Sequence, residues 1–215
     1  IEDPDRSPEQ FAEGFVDAQK GVADVAAALE GARQILMERF AEDPQLIGRL
    51  REHLWENGIM VSAVVEGKET EGNKFSDYFD YQEPLHKIPS HRALALFRGR
   101  NQGVLSLDLI SGDGEDPDAV CRLMIAQRFG VQDQGRLADT WLKETVRKAW
   151  RIKLLTRLDL DLKGRLQGAA EEEAIKVFGR NLEALLLAAP AGRLPTLGLD
   201  PGLRTGVKVA VVDST

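Results

Sequence analysis

Apolar positions along this chain recur at helical spacing, give way to short alternating runs, and then return to helical spacing. Ser7-Pro8-Glu9-Gln10 has the form of a helix start: a serine that can cap, a proline suited to the first turn, and a glutamine at the capping-box position. Phe11, Phe15 and Val22 open an apolar stripe. Val22, Val25, Leu29, Ala32, Leu36 and Phe40 carry it on in a longer helix, in steps of three or four residues. Asp43-Pro44 restarts a helix with Leu46, Leu50 and Leu54 inward, and Asn57-Gly58 reads as a left-handed C-terminal cap.

The period then changes. IMVSAVV (59–65) is short, β-branched and bounded by glycines, and GVLSLDLI (103–110) alternates apolar and polar residues, so both read as strands able to pair as an antiparallel ribbon. A long loop and a helix capped by Ser90 lie between them. After the turn SGDGEDPD the pattern predicts three helices. The first runs from about Asp118 to Phe129 and is stopped by Gly130; the second starts near Gly135 and carries WLKETVRKAWRIKLLTRL. The third covers roughly Ala169 to Leu187 and ends at Ala189-Pro190-Ala191-Gly192, the best domain boundary in the chain. Leu197 to Leu199 and Val207 to Val212 then flank a glycine turn as a hairpin. The expected class is mainly α: a helical bundle with a small antiparallel β-ribbon and a C-terminal β-hairpin.

Composition narrows this picture. A hydrophobic share of 43% and a charged share of 29% are those of soluble globular chains. No run approaches the roughly 20 apolar residues that span a bilayer. No signal peptide is visible, and the missing initiator methionine and abrupt end are those expected of a piece of a longer protein. The single cysteine, Cys121, excludes an intrachain disulfide, points to a reducing compartment and reads as a core residue. The net charge of −7 argues against wholesale coating of nucleic acid, but it is unevenly spread: −10 over residues 1–80, −1 over 81–140 and +4 over 141–215. A polyanion is therefore expected to meet the last third.

Within that third, Lys143, Arg147 and Arg151 lie four apart and form one ridge, with Lys148 beside it, while Leu142, Val146, Trp150, Leu154 and Leu158 form the core stripe. Cations on a rigid ridge suit phosphate contacts that position a nucleic acid without reading its sequence. A solvated helix face is the commoner outcome for such a ridge. Phe75, Tyr78, Phe79 and Tyr81 could stack bases, but a loop this long needs aromatic anchors, the favoured reading. His53, His86 and His91 are too few and too poorly spaced for a structural zinc site, and His91 is expected to hydrogen-bond in a helix's first turn. Glu171-Glu172-Glu173 near a helix start is favoured by the helix dipole and solvent. There is no nucleophile elbow and no phosphate-binding GxxxxGK[ST] loop. Asp200, delivered by a strand into a glycine turn, fits two chemistries: a magnesium ligand in ribonuclease-H-like nucleases, or the phosphate-wrapping hairpin of actin-like ATPases. Both need partners that these residues do not supply, so no catalytic residue, resident metal or cofactor is assigned here, and Asp200 is kept as a vestigial candidate.

The blocks FSDYFDYQEPLHKIPSHRALALFRGRNQGVLS, EEEAIKVFGRNLEALLLAAPAG and GLDPGLRTGVKVAVVDST, with ADVAAALEGARQILMERFAEDPQL upstream, resemble the bacterial Tex proteins, transcription accessory factors, through essentially all 215 residues. The resemblance implies a helical N-terminal half with helix-turn-helix-like elements. A YqgF domain of ribonuclease-H-like fold would follow, then helix-hairpin-helix elements and an OB-fold RNA-binding domain. On this basis residues 1–58 are part of the helical N-terminal region, 59–190 a central ribbon and helical region, and 191–215 a truncated first YqgF hairpin. Asp200 matches the metal-ligand aspartate of related resolvases. The resemblance also implies cytoplasmic nucleic-acid binding, RNA ahead of DNA, tied to the transcription or translation machinery, with no membrane. The expected role is a nucleic-acid-binding helical scaffold without enzymatic activity of its own. The alternatives are part of a magnesium-dependent nuclease in the intact protein, or a protein–protein scaffold setting its acidic N-terminal part against a basic partner.

Overall fold

The computed structural model describes residues 5–112, 114–190, 192–202 and 206–213. Asp113, Ala191 and residues 203–205, which belong to predicted turns, lie outside the described residues. The chain divides into two compact units, Ile1–Ala174 and Ile175–Thr215.

The first unit begins with α1 (Pro8–Ala12), where the Gln10 N–H donates to Ser7 Oγ at 3.3 Å and the Ser7 N–H donates to Gln10 Oε1 at 2.9 Å, the reciprocal cap that the sequence spells. The helix is shorter than its stripe suggested. It passes into a 3₁₀ turn, and Val22 pairs with Asp17 in an isolated bridge. α2 (Val25–Ala41) starts afresh after Asp24, whose carboxylate accepts the Ala27 N–H at 2.8 Å. Only the end of the long stripe reaches the core: Met37 and Phe40 are buried, while Phe15 is 73% exposed. α3 (Pro44–Asn57) starts on Asp43, which accepts the Leu46 N–H at 2.7 Å, and Leu46, Leu50 and Leu54 are fully buried.

Gly58 is not left-handed: its φ of −70° and ψ of 147° lead straight into a strand. Glycine is required there for space, because a Cβ would lie 2.3 Å from the Leu54 carbonyl oxygen and 3.0 Å from Leu109 Cδ1.

β1 (Ile59–Val64) pairs antiparallel with β3 (Leu105–Ile110), in the register Ile59 to Ile110 through Val64 to Leu105. This is the ribbon read from the sequence. A third strand, β2 (Asp80–Pro84), completes the order β2-β1-β3. Its sequence, DYQEP, carries little β propensity and ends on proline, which suits an edge strand and hides it from pattern reading. The other edge is covered: Lys163 Nζ donates to the Leu107 carbonyl at 2.6 Å. α4 (Ser90–Asn101) has Pro89 at its N-cap and no side-chain cap, so Ser90 is its first residue and not its cap.

α5 (Ala119–Arg128) matches its predicted span. The next two predicted helices are one. α6 (Asp139–Lys148), a π-helical segment (Ala149–Leu154) and α7 (Leu155–Leu186) follow without a break. Glu171, Glu172 and Glu173 therefore lie mid-helix. Eight buried residues step by four along this rod: Leu142, Val146, Trp150, Leu154, Leu158, Leu162, Leu166 and Ala170. On a regular α-helix such steps overshoot a turn by about 40° each. The wider π turn winds the stripe back and keeps Trp150 and Leu154 on the core.

In the second unit, β4 (Thr196–Pro201) and β5 (Val207–Val212) form an antiparallel hairpin in the register Thr196 to Val212 through Pro201 to Val207. Every described residue of both strands is exposed. Among the described residues, no helix is long and apolar enough to cross a membrane.

Candidate nucleic-acid interface

The π segment that keeps Trp150 and Leu154 on the core also brings Arg151 back into line with Arg147; Lys143, Arg147 and Arg151 each follow a core residue by one position. The start of the rod is organised by Asp139. Burial would raise its carboxyl pKa, but the N–H groups of Gln134 and Arg136, at 2.7 and 2.9 Å, and the Arg136 guanidinium hold it below the ordinary aspartate value. α6 is thus anchored before its first cation.

The ridge is exposed at Lys143, Arg147 and Arg151 and half-buried at Lys148. Lys143 pairs with Asp133, and Arg147 with Glu144 at 2.9 Å. The hydrogen bond from Lys143 lowers the Asp133 carboxyl below its ordinary value, and the one from Arg147 does the same to Glu144. Lys148 faces the carboxylates of Glu30 and Glu144. Arg151 has no ion pair among the described residues. Three of the four cations are therefore beside carboxylates. Glu144 was legible as a partner, three residues before Arg147. Asp133 and Glu30 were not, because the fold brings them in.

The same holds for the basic last third as a whole. Lys153 pairs with Glu38, and Arg165 with Glu52 at 3.2 Å. Arg157 donates to the Ala41 carbonyl at 3.2 Å, at the end of α2. Part of the charge asymmetry between the two ends of the sequence is consumed inside the first unit, where Lys153 of the π segment and Arg165 of α7 meet acidic residues of α2 and α3. Only the cations left over remain free to meet a polyanion.

The aromatic cluster is an anchor. Phe75 is buried, and Tyr78, Phe79 and Tyr81 pack against the core. Tyr78 and Tyr81 meet edge to face at 5.4 Å. Burial first, then the Glu83 carboxylate, pushes the Tyr81 hydroxyl up to about 12. His53 sits on α3 beside Asn57; His86 and His91 are exposed, and among the described residues the His91 side chain makes no hydrogen bond, contrary to its expected part in the helix's first turn. Among the described residues, no three His, Cys, Asp or Glu side chains cluster as a metal site. Asp200 is exposed on β4 opposite Lys208, whose Nζ is 3.9 Å away.

The family profile described as Tex central region-like matches residues 3–178. The chain is 55% identical to protein YhgF of Escherichia coli, covering 99% of this chain and 28% of that protein. It is 53% identical to the transcriptional accessory protein Tex of Neisseria gonorrhoeae, over 96% of this chain and 27% of that protein. A more distant similarity, 27% identity over 91% of this chain and 20% of the relative, is to the human S1 RNA-binding domain-containing protein 1. The chain thus spans little more than a quarter of its bacterial relatives' length.

Proposed function

This chain belongs to the Tex central region-like family, and from that footing we propose that it is the helical framework of a Tex-type transcription accessory protein and lends one phosphate-contacting ridge to nucleic-acid binding. Lys143, Arg147, Lys148 and Arg151 are the contacts, acting in the cytoplasm on RNA in preference to DNA. The names of two relatives, one a transcriptional accessory protein and one an S1 RNA-binding-domain protein, support the class. The observation that carries the ridge itself is its phase: the π segment aligns Arg147 with Arg151 while their neighbours stay buried.

The carboxylate partners set the strength. Exposed pairs are weak in water, so a phosphate oxygen can replace Asp133 or Glu144. Each replacement gains less than a contact by a bare cation, and binding is weak and sequence-tolerant. The test is fluorescence anisotropy with single-stranded RNA and DNA in parallel, titrated between about 50 and 200 mM salt. Four neutralised phosphates give a slope of log K against log salt near about −3 on a single strand. Replacing all four cations by glutamate should abolish binding with helicity unchanged; binding that survives the replacement rejects the ridge.

A further inference from the structure

Glu144 holds the phosphate position of Arg147 from inside: their pair, at 2.9 Å, is what a nucleic acid has to displace. A displaced carboxylate needs a second cation. Lys148, four residues on, is within helical reach, but it belongs to the ridge, and a carboxylate moving there would cancel one phosphate contact while opening another. The other cation lies off the ridge, on α2. The Arg33 guanidinium carbon sits 5.3 Å from the centroid of the Trp141 ring. Trp141 and Glu144 are three residues apart on α6 and so are neighbours on one face, which sets Arg33 beside Glu144 as well. The Glu144 carboxyl is held below its ordinary value first by the Arg147 hydrogen bond, then by the charges of Arg147, Lys148 and Arg33.

The surroundings of Arg33 are short of acceptors. One guanidinium nitrogen is paired with Glu30 at 2.9 Å, but Arg33 Nε is buried and makes no hydrogen bond among the described residues. Trp141 Nε1 is likewise buried and unpaired among the described residues. Two buried N–H donors without acceptors, on side chains in contact with one another, each cost the fold the water they have given up. Their neighbour Glu144 has two carboxylate oxygens and spends one on Arg147. Reaching Arg33 costs that carboxylate part of its hydration, which keeps it on Arg147 as long as nothing else takes that position. We infer that Glu144 has two positions, on Arg147 in the free protein and on Arg33 when a phosphate occupies Arg147, and that Arg33 is thereby a positioning residue of the ridge. The carboxylate leaves without being stranded and without neutralising Lys148, and the contact between α2 and α6 gains a hydrogen bond whenever the ridge is loaded. This rests on the ridge as a phosphate contact and adds the coupling of that contact to α2.

Proton–nitrogen NMR of the Arg33 Nε–H tests the two positions with and without nucleic acid. Arg147→Ala removes the first position by itself. In that variant the Arg33 Nε proton should move downfield and exchange with water at least about tenfold more slowly, the reach of one charge-assisted hydrogen bond. A short oligouridylate added to the parent should do the same, and Glu144→Ala should abolish both changes. Arg33→Met should weaken binding of that RNA about fivefold, and most of the loss should vanish in the Glu144→Ala background. An Arg33 proton that ignores Arg147→Ala overturns the inference while leaving the ridge to its own test. One that answers Arg147→Ala but not bound RNA rejects the ridge as the RNA contact, and with it the role of Arg33. Equal losses from Arg33→Met in both backgrounds reduce Arg33 to a distant charge and also overturn the inference.

Discussion

The Arg165 guanidinium carbon lies 4.0 Å from the centroid of the Trp55 ring, and the same side chain pairs with Glu52 at 3.2 Å. One residue of α7 thereby holds a turn of α3 through an aromatic face and a carboxylate one helical step apart. Arg165→Ala should lower stability by about 1 kcal/mol, and Arg165→Lys should recover little of it, because the planar stack and not the charge is lost. Urea unfolding midpoints measure this. A lysine variant as stable as the parent would show that the stack contributes nothing.

Gly58→Ala tests a second relationship. The added Cβ would collide with the Leu54 carbonyl oxygen while leaving the backbone angles acceptable to any residue. We expect a loss of about 2 kcal/mol or more, well above the cost of an ordinary unstrained substitution. If the requirement were left-handed backbone, Gly58→Asn would rescue stability; sterically it should do no better than alanine.

Lys163 is buried beside Asp159, with Nζ–Oδ1 at 2.7 Å, and caps the Leu107 carbonyl of the β3 edge. Lys163→Met should cost about 2 kcal/mol, less than a wholly buried pair because Asp159 is partly open to water. Asp159→Asn in the methionine background should restore part of the loss. A double-mutant cycle reads the coupling. Amide exchange along β3 should speed up in Lys163→Met.

Burial first, and Asp118 second, push the Cys121 thiol from near 9.0 up to about 12. A thiol whose folded pKa is raised contributes stability that is complete below the unfolded value and disappears as pH climbs through the folded one. Stability should therefore fall between about pH 9 and 12, and Cys121→Val should flatten that slope. At pH 8 the folded protein should resist iodoacetamide, reacting only as denaturant opens it.

Much of the framework was legible because its signals are local. Ser7 and Asp43 each sit within three residues of the N–H they accept; Asp24 does too, but the stripe read through Val22 and Val25 passed over it. β1 and β3 announce themselves by alternation and flanking glycines. The rod's core stripe could be read from its spacing alone, and so could the cationic ridge one residue along. β2 was not legible, since Asp-Tyr-Gln-Glu-Pro becomes a strand only because β1 offers it a free edge. The break placed before residue 169 was wrong because Gly164 and Gly168 look like punctuation, whereas Leu158, Leu162, Leu166 and Ala170 keep the helix on the core.

Sequence by itself determined where α1 and α3 start, which faces are apolar and how the cations are spaced, because capping and periodicity act within a turn or two of chain. Tertiary structure decided which of those charges are spent. Asp133, Glu38 and Glu52 reach their cations across ten to more than a hundred residues, and only the packing of the α6–α7 rod against its neighbours brings them within a few ångströms and sets Lys148 where its charge acts on Glu30. It also decided what Gly58 is for, because the clash it avoids involves a carbonyl turned back by the end of α3 and a leucine from β3.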